Sequence, residues 1–494
     1  MTLFVLAMVA NTGIIYAQYA GDALRFSQTN FGSSARFKGL GNAQMSLGGD
    51  VSSISGNPAG LGMFTKSEFS FTPEYNNITS KATYLGQVTN SDHDKVNFNQ
   101  AGVVFYNPIV KRSGADVNKG ALSFVWGLGY NRNNDYSADY TYTGINPTSS
   151  IADYFSEEAS SYGAVRNALP SYSLGRMAGD LIQETAGDNT IYAPSTALNN
   201  DQFSNEVRFG STSEFNLSGA LNVSNSFYIG ASLGFINVRY GSDSRFNELG
   251  TIDLESSPFF GQSYSVDYSK SQRTDGSGIN GKIGFIVKPV NAFRIGATFQ
   301  TPTWLHMEDV SSELVNTQVG SSPFTNNNQQ NYVFQYNIRT PYKGSVGASM
   351  IIGNFGLITA DVDYVDYASI KFSNAENYYE PTTISNNNID VKDFYTDAIN
   401  YRVGGEVKFD QLTLRAGYGI NGTPYKDDNR NVFETKFYSG GLGYRVGQYY
   451  LDLAYQRVET NNTFSPYFLN DGNEPVADVK LNRNNVFLTF GVRF

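Results

Sequence analysis

The sequence predicts an all-β fold, a transmembrane antiparallel β-barrel of about fourteen strands, and three observations carry that expectation. The first is the segment from Asn482 to Phe494. Counting back from Phe494, Val492, Phe490, Leu488 and Val486 are apolar, while Arg493, Gly491, Thr489 and Asn485 fall between them. An oily face backed by a polar one suits a strand with lipid on one side and a lumen on the other, because a bilayer cannot hydrogen-bond free backbone groups. The second is repetition: from about Glu68 onward, alternating segments, tight turns and longer polar loops recur along the chain. The third is that no run beyond the first residues approaches the roughly 20 apolar residues of a spanning helix.

Taken in order, Met1 to Ala17 is a short apolar stretch ending in a small residue. It reads as a secretory signal peptide (1–17) without its basic beginning, so cleavage after Ala17 leaves Gln18 as the mature start. Residues 18–66 lack strand alternation and hold a dense Gly/Ser/Asn run from Ala35 to Leu61. Residues 67–494 form the barrel. In Phe293–Phe299 the apolar set is Phe293, Ile295, Ala297 and Phe299; in Tyr401–Phe409, Tyr401, Val403, Val407 and Phe409 alternate with Arg402, Gly404, Glu406 and Lys408. In Leu412–Ile420, Arg415 again falls on the polar side. The charges therefore belong to the lumen, since Lys or Arg on the lipid face near the midplane costs about 2–4 kcal/mol.

Short connections near 224–226, 289–291, 353–354, 410–411 and 447–448 alternate with long ones near 134–208, 242–274, 305–339, 371–397 and 461–481. Short turns belong on the periplasmic side and long loops outside. The upward strands are then 67–77, 119–133, 227–241, 292–304, 355–370, 411–420 and 449–460. Downward strands fall at 96–107, 209–222, 275–289, 340–352, 398–409, 432–446 and 482–494. Within the largest loop, 134–208, two short helices are expected at Ile151–Val165 and Leu174–Glu184, split by Pro170.

Before the first barrel strand the chain carries Gly39, Gly41 and Ala43, then Asp50 and Ser52, then Asn57, Pro58, Ala59, Gly60 and Leu61. In order and spacing this resembles the amino-terminal hatch of the FadL-type outer-membrane transporters of long-chain fatty acids and other hydrophobic compounds. Phe293 to Pro302 is similar to a mid-barrel strand of that family. The resemblance implies a hatch, or plug, at 18–66 inside the lumen, with Gly39, Gly41, Asp50, Asn57, Pro58, Ala59 and Gly60 as its motif. Proline fixes φ, Asn caps turns, and glycine admits backbone shapes other residues resist, so such a run suits a compact plug meeting Arg402, Glu406, Lys408 and Arg415.

What the family implies for function is passive uptake of hydrophobic small molecules such as fatty acids. Capture by outer loops, hatch rearrangement and exit through the barrel wall at a kinked strand are the implied steps. Here that strand is Lys119–Arg132, with Trp126, Gly127 and Gly129 as the candidate lateral gate. The alternative is a barrel of the same fold that anchors or shuttles partner proteins of a secretion system. Either way the expected place is the outer membrane of a Gram-negative bacterium, with a hydrophobic ligand and outer-membrane lipid as partners and a monomeric barrel.

Other classes find little footing. The net charge of −10 and the lack of basic clusters exclude nucleic acid as a partner. There is no cysteine, and His93 and His306 lie on different hairpins in predicted outer loops, so no second histidine completes a spaced zinc motif and neither neighbourhood carries a hydrolase nucleophile signature. No enzymatic activity and no cofactor is expected. Asp361, Asp363 and Asp366 read as an acidic rim, able in principle to hold a cation.

Overall fold

Fourteen antiparallel strands close on themselves in the computed structural model, which describes residues 16–28, 30, 32–113, 116–185, 187–326, 330–376 and 378–494. The expected signal segment up to residue 15 lies outside the described residues. The first seven staves are β1 (Glu68–Tyr84), β2 (Gln87–Pro108), β3 (Ala121–Asp135, continuing as Ala138–Asn146), β4 (Asn200–Val223), β5 (Phe227–Thr251), β6 (Ser263–Val290) and β7 (Phe293–Gln300, continuing as Trp304–Val319). Then come β8 (Gln330–Arg339, continuing as Lys343–Ile352), β9 (Gly356–Asp366, continuing as Lys371–Asn374), β10 (Asp397–Phe409), β11 (Leu412–Asn421), β12 (Thr435–Val446), β13 (Tyr449–Phe464) and β14 (Ala477–Arg493). Each pairs with its chain neighbours, and β14 closes on β1 through Phe69↔Val492 and Phe71↔Phe490. Among the described residues five helices lie before, within or above the barrel: α1 (Tyr16–Ser27), α2 (Ala35–Gly39), α3 (Ile151–Ser161), α4 (Leu174–Met177) and α5 (Pro381–Phe394).

The short turns fall where the sequence places them, but the strands run far past their expected ends. Segments read as long loops at 242–274 and 305–339 are largely strand, and the outer connection between the first two staves shrinks to Leu85 and Gly86. On β6, 28 residues long, the lipid-facing apolar set covers only Ile279 to Val287, so the remainder stands above the membrane. There a strand no longer needs an oily outer face, and the pattern used to find strands disappears although the hydrogen-bond ladder continues.

More than disappear, the pattern inverts. In the lower part of β7, Phe293, Ile295 and Phe299 are exposed; above the interruption at Thr301–Thr303, Leu305 and Met307 are buried inside while Trp304 faces out. On β8, Val346 and Met350 face lipid below, and Phe334, Tyr336 and Ile338 fill the interior above. β3 does the same across its break, from Phe124 outside to Ala138, Tyr140 and Tyr142 inside. Pro302 and Pro341 sit in two of these interruptions, where a residue without an N–H cannot serve a continuous ladder. Thr303 and Thr340 bridge the gap: Thr303 N donates to Thr340 Oγ1 at 2.8 Å and Thr340 N to Thr303 O at 3.0 Å.

In the largest outer loop, α3 begins at Ile151 as expected and ends at Ser161, while the second expected helix is only α4, a turn at Gly179–Leu181 and a short strand Ile182–Thr185. Ser150 caps α3 with a reciprocal contact from Asp153. Helix α5, opened by Pro381, lies in a stretch read as plain loop.

Candidate functional site

The lumen is filled in three layers. The lowest is the plug, where short polar side chains cap short helical turns: Ser34 caps α2, Asp50 caps the turn Val51–Ile54 by accepting from Ser52 N at 2.9 Å, and Asn57 caps Pro58–Met63 by accepting from Ala59 N at 3.1 Å. Ser34 Oγ also donates to Asp50 at 2.8 Å, and Ser34 N to Ser52 Oγ at 2.7 Å, tying the ends of the plug together. The side-chain amide of Asn57 donates to Met45 O at 2.6 Å and to Phe285 O of β6 at 3.2 Å. The motif residues thus bind one another and the wall.

Close approach explains the glycines. Gly41 has φ of +66°, and a Cβ there would press on Tyr418 N of β11 at 3.0 Å. On the wall side, a Cβ on Gly404 would meet Leu40 O at 2.5 Å, one on Gly230 would meet the Pro58 carbonyl carbon at 2.5 Å, and Gly417 and Gly296 face Gly41 and Met45 in the same way. Gly60 lies against Ser53 and Leu47 within the plug, and Gly39 against Gly441 of β12. Backbone lies on backbone around much of the circumference.

Charges complete the seat. Arg36 of α2 meets Glu406 at 3.1 Å, Glu406 accepts from Arg415 at 2.7 Å, and Arg415 reaches Asp452 at 2.6 Å. Of the lumen residues expected against the plug, Glu406 and Arg415 are there, Arg402 pairs with Asp363 above it, and Lys408 is exposed. The acidic residues are not a rim: Asp361 is buried in β9 and accepts from Gln44 N and Met45 N of the plug at 2.5 and 2.9 Å, while Asp363 is shared by Lys343 and Arg402. Asp366 caps the turn at Tyr367–Ser369. Strand alternation had put Asp361 and Asp363 on one face correctly; what it could not show was that the face looks inward onto the plug.

Above the plug runs a polar belt, with Glu214 paired to Lys282 at 2.8 Å and Lys343 to Asp363 at 3.3 Å. Above the belt the wall turns apolar: Ile236 and Val238 of β5, Leu305 and Met307 of β7, Phe334, Tyr336 and Ile338 of β8, and Val365 of β9 enclose a chamber. Helix α1 occupies it, burying Tyr19, Ala20, Ala23, Leu24 and Phe26 against that wall. Asp22, buried with them, pairs with Arg25 and accepts from Gln272 Nε2 of β6 at 2.7 Å. The outer loop helices close the top, where Glu248 accepts from Ser150 Oγ at 2.5 Å, Gln202 Nε2 at 2.6 Å and Tyr264 OH at 2.8 Å. The family resemblance implies a pocket above the hatch, but sequence reading named none of its residues and missed the helix; the available signal was the inverted alternation in 305–307 and 334–338.

The gate residues are placed as follows. Trp126 faces outward and stacks on Phe105 at 4.5 Å, while Gly127 and Gly129 face the plug, where added Cβ atoms would touch Ile54 at 3.1 and 3.0 Å. Pairing on both sides of β3 runs unbroken through them. Against β4 the register shifts instead at Ala121/Ser123, at the start of the strand, and higher up at Arg132/Asn134. Beside that break runs the chain joining α1 to the plug: Asn30 N donates to Asn134 Oδ1 at 3.3 Å, and Asn134 Nδ2 donates to Gln28 O. The histidines stand apart on strands rather than in loops, His93 beside Asp139 at 3.4 Å and His306 with Asn337 at 3.0 Å. Among the described residues no group of three or more His, Asp or Glu is arranged to hold a metal.

Residues 185–473 match the family model for outer membrane protein transport proteins (OMPP1/FadL/TodX). The fold is similar to the crystal structure of a Pseudomonas aeruginosa FadL homologue, 15% identical, with 94% of this chain and 98% of that one covered and a TM-score of 0.54. It is also similar to that of the P. putida toluene transporter TodX, 12% identical, with 94% and 99% covered and a TM-score of 0.52. At such identity the likeness is one of fold. No curated protein sequence matches the chain.

Proposed function

This chain belongs to the outer membrane protein transport family (OMPP1/FadL/TodX), and on that premise we propose that it is a passive importer of hydrophobic small molecules, in the range from aromatic hydrocarbons to long-chain fatty acids. It resides in the outer membrane. The observation that carries the reading is the chamber: an apolar interior wall filled by the single helix α1, above a seated plug and a belt of ion pairs. An apolar molecule gains by entering it and would lose by crossing the charges below.

The route is therefore sideways. Molecules caught by the outer loops around α3, α4 and α5 enter the chamber as α1 withdraws, and leave through β3. We place the opening at the register shift Arg132/Asn134, above Gly127 and Gly129, because there the ladder with β2 ends at Gln100↔Asn131, the register against β4 slips, and the α1 connection lies alongside. Rearrangement falls to α1 and this connection. The motif residues Gly39, Gly41, Asp50, Asn57, Pro58, Ala59 and Gly60 keep the rest of the hatch seated.

The test is uptake of a labelled long-chain fatty acid and of labelled toluene by cells lacking their own importers. Cells expressing the intact protein should take up at least one of them, and replacing Asn57–Ala59 at equal surface levels should alter that uptake. A folded barrel that passes neither compound would remove the reading and leave a barrel that binds partner proteins.

A further inference from the structure

Inside the chamber one face is built for more than oil. The Tyr19 ring of α1 lies 4.6 Å from the ring of Phe334 and 5.8 Å from that of Tyr336. Those two rings stack on each other at 4.8 Å, with Phe372 5.5 Å from Tyr336 and Tyr378 5.9 Å from Phe334. Phe334 and Tyr336, flanked by Phe372 and Tyr378, make an aromatic cage that holds a phenol supplied by the chain itself.

Polar groups stand at the edge of the cage. Asp309 pairs in register with Phe334, two residues beyond the Met307↔Tyr336 pair, so its carboxylate and the Tyr336 hydroxyl are diagonal neighbours on the inward face of β7 and β8. Asp309 is 1% exposed and Tyr336 fully buried. One carboxylate oxygen is engaged, accepting from Gln272 Nε2 and Thr274 Oγ1, each at 2.6 Å. Among the described residues the other oxygen, and the Tyr336 hydroxyl, have no hydrogen-bond partner. An unmet acceptor and an unmet hydroxyl beside an aromatic cage are costly in a resting structure and useful to a ligand that satisfies both.

We propose that this is a ligand subsite for an uncharged aromatic compound carrying a hydroxyl, which places its ring where Tyr19 lies, donates to Asp309 Oδ1 and accepts from Tyr336 OH. The assignment rests on the chamber being the transport site. Carboxylates are disfavoured there. Asp309 is itself a carboxylate, Arg25 belongs to α1 and leaves with it, and Arg208 is held by both oxygens of Glu206 at 2.6 and 3.1 Å. A bare hydrocarbon fits the cage but leaves the two polar atoms unmet.

Three probes with one skeleton separate these possibilities: 4-pentylphenol, 4-pentylbenzoate and pentylbenzene, measured by equilibrium dialysis against the full-length protein in lipid nanodiscs, with empty discs subtracted. The phenol should bind about tenfold more tightly than either of the others, as a hydrogen bond to a charged group allows. Asp309→Leu and Tyr336→Phe should each erase most of that margin over pentylbenzene, and Tyr19→Ala should tighten phenol binding by removing the internal competitor. All variants must keep the heat-resistant electrophoretic mobility of a folded barrel. Equal affinity for the benzoate, or phenol binding unchanged in both wall variants, would overturn the subsite. If either of those results is found while cells expressing the protein take up pentylbenzene, the subsite fails and the importer stands; if none of the three enters cells, the importer reading fails even where binding persists.

Discussion

At the scale of single residues the plug is held by small groups in tight places. Asn57 stabilises it three ways, capping the turn at Ala59 N and donating to Met45 O and Phe285 O. Asn57→Ala should cost about 1–3 kcal/mol, visible as faster amide exchange at Ala59–Gly62 while the barrel strands stay protected; unchanged exchange would show that the wall alone holds the turn. Gly417→Val drives a side chain into the backbone at Leu40 and Gly41 and should unseat the plug, letting bulky hydrophilic antibiotics through and raising sensitivity of expressing cells. Gly344→Ala, where an added Cβ meets nothing within 4 Å, is the control and should leave sensitivity unchanged.

Also at this scale, Asp309 stands above the membrane and its carboxyl is pushed up to about 6, chiefly by burial and then by the Asp22 carboxylate. Both causes weaken when α1 leaves. The proton is therefore held more tightly with α1 docked, so docking is favoured below that value and loosens as pH rises through it. Asp22, Arg25 and Tyr19 face the group from α1, and Gln272 and Thr274 from β6. Uptake measured from about pH 5 to about pH 7.5 should rise, and Asp309→Asn should flatten the profile. A rise that persists in the variant places the titration in another group.

At the scale of elements, the break in β3 and the mobility assigned to α1 stand or fall together. Cysteines at Asn134 and Thr212, paired in register across the break, should form a disulfide that suppresses uptake and is relieved by reductant. Cysteines at Trp126 and Gly219, lower on the same strand pair, should leave uptake intact; the reverse result would move the opening down to Gly127 and Gly129. What the sequence made legible here follows from the physics of each stretch. Where lipid demands an oily outer face, as in Phe293–Phe299, the strands are plain to read. Above the membrane the demand lapses and then reverses, and strands such as Trp304–Val319 pass for loops. Asn57-Pro58 announces a capped turn through local chemistry, whereas α1 owes its position to a chamber assembled from β5 through β9 and nothing local announces that.

For the whole molecule, closure was legible because an even set of staves between short turns and a final oily strand leaves no edge to satisfy. The contents of the lumen were only half so. A plug was foreseeable from its glycines and caps, but not which wall residues would thin to receive it, because Gly230, Gly296, Gly404 and Gly417 look like any barrel glycine until the plug is laid against them. Asp361 likewise became a plug ligand only once the inside of β9 was known to be occupied.

The inversion along β3 has one more consequence. Its greasy side looks to the bilayer at Phe124 and into the chamber at Tyr136, whose ring lies edge-on to Phe26 of α1, and the handover takes place within the few residues around Asn133. Followed along that single ribbon, the outer and inner greasy stretches are parted only by the short polar run Asn131–Asp135, which carries the Arg132–Asp135 ion pair and the misfit in pairing. On the route proposed above, the whole change of compartment is a sidestep the thickness of one strand across that polar run, at the place where the ribbon itself turns over.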